Sequence, residues 1–437
     1  MDEPPERERS RVRELFQRLL LLDDEKQRVK LIEKETAGDP QLRNAVIQLW
    51  LAREENTEPV NAVRPDSKQL SEAPGPGGGE NGNEIENGKY TLIDQIGEGG
   101  MGKVYSAKQN HPITRFVAIK FVKAKNDRHT SIERFDSEWR ALALMDHPNI
   151  ARIYDSGISE KGHPFYAMEY FPGVSIAKFC DGQKYELKQR LELFLPVCRA
   201  IQHAHDKGIV HRDIKPSNIL VGVSENQAVP KVIDFGLAKS LTSRLLDPKA
   251  LTHKGSVVGT IDYMSPEQAT LDPDQVDERS DVYSLGVLLY ELLAGINPHY
   301  TRIHPEKKTD AILQSIRVDI PLSPSEALAR MRYLGEIPHN RNCRSSGFHR
   351  RFRGELDGII MKAIEYQPQG RYQTPAALAR DIQRYLHGDV VEIFRDDPLY
   401  RMRKAISRHP GASIAVAVSI VWAVFIVLCM ILGWIHF

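Results

Sequence analysis

His211-Arg212-Asp213-Ile214-Lys215-Pro216-Ser217-Asn218-Ile219-Leu220, followed by Ile233-Asp234-Phe235-Gly236, is the stretch on which the reading of this 437-residue chain turns. Asp-Phe-Gly alone reads as an ordinary turn, because Asp and Gly are both turn residues. Its weight comes from its place behind two upstream patterns. Ile96-Gly97-Glu98-Gly99-Gly100-Met101-Gly102-Lys103-Val104-Tyr105 carries glycines at 97, 99 and 102, a G-x-G-x-x-G spacing. Glycine lets backbone amides approach phosphate oxygens with no Cβ in the way. Dinucleotide-binding folds share the spacing but open a helix directly after it. Here Lys103-Val104-Tyr105-Ser106-Ala107 continues as a strand, with Val104 placed to cover a base. Val117-Ala118-Ile119-Lys120 then ends an apolar strand on a lysine. That ending is costly unless the ammonium meets an anion. The α- and β-phosphates of ATP and one carboxylate would serve. Glu138, in the helical stretch 131–145, is the candidate carboxylate, with Glu133 as its competitor.

In this order the motifs resemble those of the eukaryotic-like (Hanks-type) protein kinases, and within them the bacterial serine/threonine kinases, over about residues 89–387. The resemblance implies an α+β, two-lobed fold: an antiparallel β-rich N-lobe with one helix, and a mainly α C-lobe. It also implies roles, because phosphoryl transfer asks the protein for positioning and charge neutralisation more than for covalent chemistry. Asp213 would orient the attacking hydroxyl and accept its proton, and Lys215 would neutralise the γ-phosphate. Lys120, paired with Glu138, would hold the α/β-phosphates. Asn218 and Asp234 would ligate Mg2+, with Mn2+ as a substitute. Gly97, Gly99 and Gly102 would cover the phosphates of ATP. Ile96, Val104, Ala118 and Leu220 would sandwich the adenine, with backbone groups of Glu169-Tyr170-Phe171 along its edge and Met168 behind it. For the apolar members, a plain core assignment stays equally open.

Substrate class follows from the same resemblance. Lys215 in Asp-Ile-Lys-Pro-Ser-Asn, and the stretch 259–267, look like those of serine/threonine kinases, with protein substrates carrying Ser or Thr. Thr260 would bridge Asp213 and Lys215, Glu267 would pair with Arg371, and Asp281 would anchor the backbone of the catalytic loop. Arg212 calls for an anion. A phosphate on Thr252 or Ser256 would supply one, by autophosphorylation with self-association of the chain. The alternative reading is a pseudokinase-type nucleotide-binding scaffold. A metabolic small-molecule kinase is a third, disfavoured by the peptide-docking character of 260–267.

Outside this region the chain changes character. Charged residues make up 27% of it, yet the formal net charge is only +1. That balance excludes a dedicated nucleic-acid binder. Cys180, Cys198, Cys343 and Cys429 have neither metal-ligand nor redox spacing, which suits a reducing compartment. Residues 1–56 read as a small helical module and 57–88 as a flexible Gly/Pro/Asn-rich linker. Residues 299–353 form an insert whose basic runs, 340–344 and 350–353, read as a solvated surface loop, with an acidic partner as the alternative. Residues 388–411 are a basic juxtamembrane segment. Residues 412–435 contain no charged residue and read as a single transmembrane helix, roughly 36 Å long at about 1.5 Å per residue. Arg401, Arg403, Lys404, Arg408 and His409 before it predict that the kinase domain lies on the cytoplasmic face of the cell (inner) membrane. Whether the segment is a tail anchor or the remnant of a longer receptor stays open.

Overall fold

The computed structural model describes residues 34–36, 84–99, 102–122, 142–235, 261–270, 275–300, 309–318, 320–331, 337–344, 346–408 and 422–428. The helical module 1–56 falls outside these residues apart from 34–36, and the linker apart from 84–88. The uncharged segment 412–435, expected to be a transmembrane helix, is described only over the helical stretch 422–428. Among the described residues no helix is long and apolar enough to cross a membrane.

The N-terminal lobe is an antiparallel sheet ordered β1-β2-β3-β4-β6-β5. Its strands are β1 (Glu84–Ile85), β2 (Tyr90–Gly99), β3 (Gly102–Gln109), β4 (Arg115–Val122), β5 (Ile153–Ile158) and β6 (Pro164–Glu169). Strand β4 reads Arg-Phe-Val-Ala-Ile-Lys-Phe-Val and is buried along nearly its whole length. Beta-branched and aromatic side chains suit that central place. Alternation sorts them onto two faces. Val117, Ile119 and Phe121 join Tyr90, Leu92, Tyr105 and Phe165 in one core. Ala118 and Val122 pack on the other face with Tyr166 and Met168. The sheet also reaches back into the segment assigned to the linker, because Ile85 pairs with Tyr90 and is wholly buried.

The C-terminal lobe is mainly helical, as the resemblance implies. Its scaffold is α1 (Ile176–Gly182), α2 (Leu187–His205), α3 (Pro266–Ala269), α4 (Glu278–Ala294), α5 (Thr309–Val318), α6 (Pro324–Arg330), α7 (Glu355–Ala363), α8 (Pro375–His387) and α9 (Pro398–Arg408). A small sheet is made of β7 (Val174–Ser175), β8 (Ile219–Ser224) and β9 (Gln227–Val232), and its β8–β9 hairpin runs between the loop 211–218 and Asp234. Helix α4 is the hub. Asp277 caps its start by accepting from Arg279 N, and Gly295, at φ 78°, ends it in the left-handed region. Gly286 lets α7 come close: a Cβ there would sit 2.7 Å from Ala363 Cβ and Ile364 Cγ2.

One expectation is corrected here. The insert is not a solvated loop where it is described, because Arg341, Phe348 and Phe352 are buried. Arg341 Nη2 donates to the carbonyls of Leu292 (3.1 Å) and Glu291 (3.3 Å), and its Nε donates to Leu293 O. Arg190, wholly buried on α2, adds Nη1 to Leu292 O at 2.9 Å. The last turn of α4 leaves carbonyls without intrahelical donors, and two guanidinium groups supply them. Burial and the neighbouring Arg190 push Arg341 down to about 10, with Asp181 pulling the other way. A basic run in sequence does not distinguish this use from a solvated one. The basic segment 388–411 packs on the lobe over its described part. Its helix α9 returns to the lobe, where Tyr400 Oη donates to Glu355 Oε1 at 3.1 Å and Lys404 pairs with Glu355 at 2.9 Å.

Candidate active site

The register of the N-terminal sheet assembles one side of the site. Lys120 on β4 stands opposite Val104 on β3 and Tyr166 on β6. Ala118, two residues earlier and on the same face, stands opposite Met168. Val104, Ala118 and Met168 thus share one apolar cluster, as a base pocket requires. Glu169 N–H donates to Arg152 O at 2.8 Å, so of its backbone groups only the carbonyl is a candidate for a ligand edge. Leu220 comes from the other lobe, on β8, and Phe171 lies under Lys231 and against Gly222. Ile96, 43% exposed, sits at a register shift in β2.

The glycine hairpin is described on both arms, with Gly97 opposite Val104 and Gly99 opposite Gly102. At Gly102, φ 149°, a Cβ would fall 1.8 Å from Phe121 O. That glycine is therefore required by the neighbouring strand as well as by any phosphate.

The lower side of the site hangs from the loop 211–218. Lys215 Nζ pairs with Asp213 Oδ2 at 2.9 Å. Asn218 Nδ2 donates to Asp213 O at 2.8 Å and to Asp213 Oδ2 at 3.1 Å. These two bonds use both amide hydrogens and leave the Asn218 side-chain carbonyl as an acceptor. Asp234 is held in the left-handed region at φ 61°. Its Oδ1 accepts from Tyr166 Oη at 3.0 Å and pairs with Lys120 Nζ. A carboxylate and an amide carbonyl are the hard oxygen donors that a divalent cation such as Mg2+ takes. The described residues fit such an ion at Asn218 and Asp234.

The loop is itself held from below. Asp281, wholly buried at the start of α4, accepts from His211 N at 2.7 Å and Arg212 N at 2.8 Å. It also pairs with His205 Nε2 at 2.8 Å. Arg212 is a non-glycine residue at φ 62°. That conformation costs on the order of 1–3 kcal/mol and persists only where surrounding bonds impose it. Asp281→Asn puts an amide N–H against one of these donors. The expected result is a loss of about 1–3 kcal/mol in chemical denaturation, with a lower turnover rate in whatever protein remains folded. An unchanged denaturation midpoint would dismiss this account of the loop.

Glu267 on α3 and Arg371 form a buried two-pronged pair, Oε1–Nη1 at 2.7 Å and Oε2–Nη2 at 2.8 Å. Ser280 Oγ donates to Glu267 Oε1 at 2.6 Å. Burial pushes the Glu267 carboxyl up, but the bonds and charge of Arg371, with Ser280, outweigh it and hold the carboxyl below its ordinary value.

Several expected residues lie outside the described ones: Glu138 and its competitor Glu133, Gly236, Thr252, Ser256 and Thr260. The partner that the structure places on Lys120 is Asp234. Sequence reasoning passed over four residues: Tyr166 on Asp234, His205 on Asp281, Gln268, whose Nε2 donates to Arg212 O at 3.1 Å, and Arg190. None of them had a signal in the sequence, because each acts on a partner more than fifty residues away in the chain.

Residues 90–381 match the protein kinase domain family. The chain is 34% identical over 310 residues to serine/threonine-protein kinase PknB of Mycobacterium leprae, covering 70% of this chain and 44% of that protein. To PknB of Mycobacterium tuberculosis it is 35% identical over 309 residues, with the same shares. A probable serine/threonine-protein kinase of Streptomyces coelicolor is 34% identical over 309 residues, 70% of this chain and 41% of that one. The matched stretch spans less than half the length of these curated relatives. The crystal structure of the Mycobacterium tuberculosis PknI kinase domain has a TM-score of 0.45 at 22% identity, over 68% of this chain and 96% of that one.

Proposed function

This chain belongs to the protein kinase domain family, alongside the bacterial Hanks-type serine/threonine kinases, and from that premise we propose that it transfers the γ-phosphate of ATP to Ser or Thr hydroxyls of proteins. The observation that carries the proposal is the cluster Lys215–Asp213–Asn218 below and Lys120–Asp234 above. In this reading Asp213 Oδ2 receives the hydroxyl proton and keeps the hydroxyl aimed in line. Lys215, already on that carboxylate, spreads the charge of the transferring phosphoryl group. Lys120 holds the α/β-phosphates, with Glu138 as its second partner. Asn218 and Asp234 would hold Mg2+, which when bound would neutralise the charge of the phosphates. Val104, Ala118, Ile96 and Leu220 enclose the adenine.

The test is transfer from labelled ATP with Mg2+ to a generic basic protein, followed by identification of the phosphorylated amino acid. Phosphoserine or phosphothreonine supports the proposal. Nucleotide binding without transfer would instead mark a pseudokinase scaffold. Regulation by phosphate on Thr252 or Ser256, placed by one copy on another, belongs to the same proposal. Mass spectrometry after ATP treatment reads it directly, and full activity with an unmodified segment rejects it.

Anchoring completes the reading: a single span at 412–435, with the kinase unit on the cytoplasmic side. It is supported by the uncharged sequence of that segment. Within the helical stretch 422–428, Trp422, Val424, Phe425, Ile426, Val427 and Leu428 are all exposed. Six apolar side chains exposed within about two turns of helix suit lipid far better than water.

A further inference from the structure

Helix α9 has two faces that ask for different surroundings. Residues four apart lie on one side of a helix. Tyr400, Lys404 and Arg408 make up such a row, and all three engage the C-terminal lobe. Tyr400 Oη donates to Glu355 Oε1 at 3.1 Å and accepts from Val391 N at 3.2 Å. Its ring packs on Phe394, with centroids 5.3 Å apart. Lys404 Nζ pairs with Glu355 and Arg408 with Asp389. Three apolar residues spaced three and four apart, Leu399, Met402 and Ile406, form the row on the far side. They are 71%, 57% and 50% exposed. Arg403, exposed, borders that row, and Arg401, also exposed, lies between it and Arg408 around the helix. An apolar stripe edged by arginines is the pattern of a helix lying in the plane of a bilayer surface, where headgroup phosphates meet the guanidinium groups.

Position along the chain selects that occupant. Only residues 409–411 separate α9 from the uncharged stretch 412–435. Four residues of extended chain reach at most about 14 Å. If residue 412 enters the apolar layer, the end of α9 is confined to the headgroup zone. We propose that α9 is an interfacial helix that lies on an anionic lipid surface through Leu399, Met402, Ile406, Arg401 and Arg403, while Glu355 and Asp389 clamp its other face to the kinase lobe. The consequence is a kinase held at a fixed orientation to the membrane rather than swinging on a tether. The inference rests on the proposed span at 412–435.

The full chain, reconstituted into phosphatidylcholine vesicles with or without phosphatidylglycerol, tests it. A photoreactive benzophenone amino acid replaces Met402 in one preparation. In a control it replaces Lys188, whose side chain is 70% exposed on α2. Irradiation is expected to give several-fold more phospholipid adduct at 402 than at 188, increasing with phosphatidylglycerol. The paired change Arg401→Glu and Arg403→Glu should remove the dependence on phosphatidylglycerol. Equal adduct at 402 and 188, or chain-to-chain adducts at 402, overturns the proposal; the second outcome makes the stripe a contact between copies. Alkaline carbonate washing separates this inference from the one beneath it. A chain washed off the vesicles refutes the span and this proposal together. A chain that stays embedded but gives no lipid adduct at 402 refutes the interfacial helix alone.

Discussion

Asp213→Asn is expected to lower turnover by about 10²–10⁴-fold, the range for removing a general base, with little change in the KM for ATP. The side chain is nearly isosteric, so Asn218 Nδ2 and Lys215 Nζ can still meet an oxygen at position 213. What disappears is the negative charge and the basic lone pair. The attacking hydroxyl then has no acceptor for its proton, and Lys215 loses its ion-pair partner. In the proposed reading Lys120, Val104 and Ala118, which share one face of the other lobe's sheet, contribute to nucleotide binding and are untouched by the change, so binding should survive. Single-turnover transfer with saturating ATP separates the two effects. Transfer within about tenfold of the parent rate would remove Asp213 from its proposed role.

Arg371→Met should be the most damaging change away from the nucleotide, costing on the order of 3–5 kcal/mol of stability. The cost has a specific origin. Glu267 would be left buried with the Ser280 hydroxyl but without its guanidinium. Arg371 also donates to the carbonyls of Glu365 (2.6 Å), Arg279 (3.0 Å) and Tyr366 (2.8 Å), and it stacks 4.8 Å over the Tyr283 ring. These bonds join α3, α4 and the turn before α8, so their loss loosens three elements at once. Thermal unfolding should fall by on the order of 10 °C. The paired replacement Glu267→Met with Arg371→Met should cost less, because no charge is stranded.

The pH dependence follows from the depressed Glu267 carboxyl. Its folded pKa lies below the unfolded value of about 4.3. The pair's stabilisation is therefore complete above that value and is lost as pH falls through the folded pKa. The gap in stability between parent and Arg371→Met should accordingly shrink in acid. A gap that stays constant from neutral pH to below about pH 4 would mean that the ion pair is not its source.

The sequence alone determined the family and the fold class, and it nominated most of the site. The reason is that phosphate chemistry constrains short motifs. Glycines must stand where a Cβ cannot, as at Gly102. A lysine must end an apolar strand, as at Lys120. Asp213, Lys215 and Asn218 must lie within one loop, where spacing along the chain already brings them together. Partners far apart in the chain leave no such trace. Lys120 and Asp234 are 114 residues apart, and Arg371 and Glu267 are 104 apart. Glu267–Arg371 was legible only because the family resemblance carried it.

Tertiary structure alone decided how the basic residues are spent. Arg190 and Arg341 close the end of α4, Arg371 neutralises Glu267, and Lys404 and Arg408 bind α9 to the lobe. In sequence each is simply a positive charge. Whether such a charge faces water, a carboxylate or a row of helix carbonyls is settled by which elements pack beside it. That packing is fixed by the burial of apolar faces, which acts over the whole domain and not over any local window.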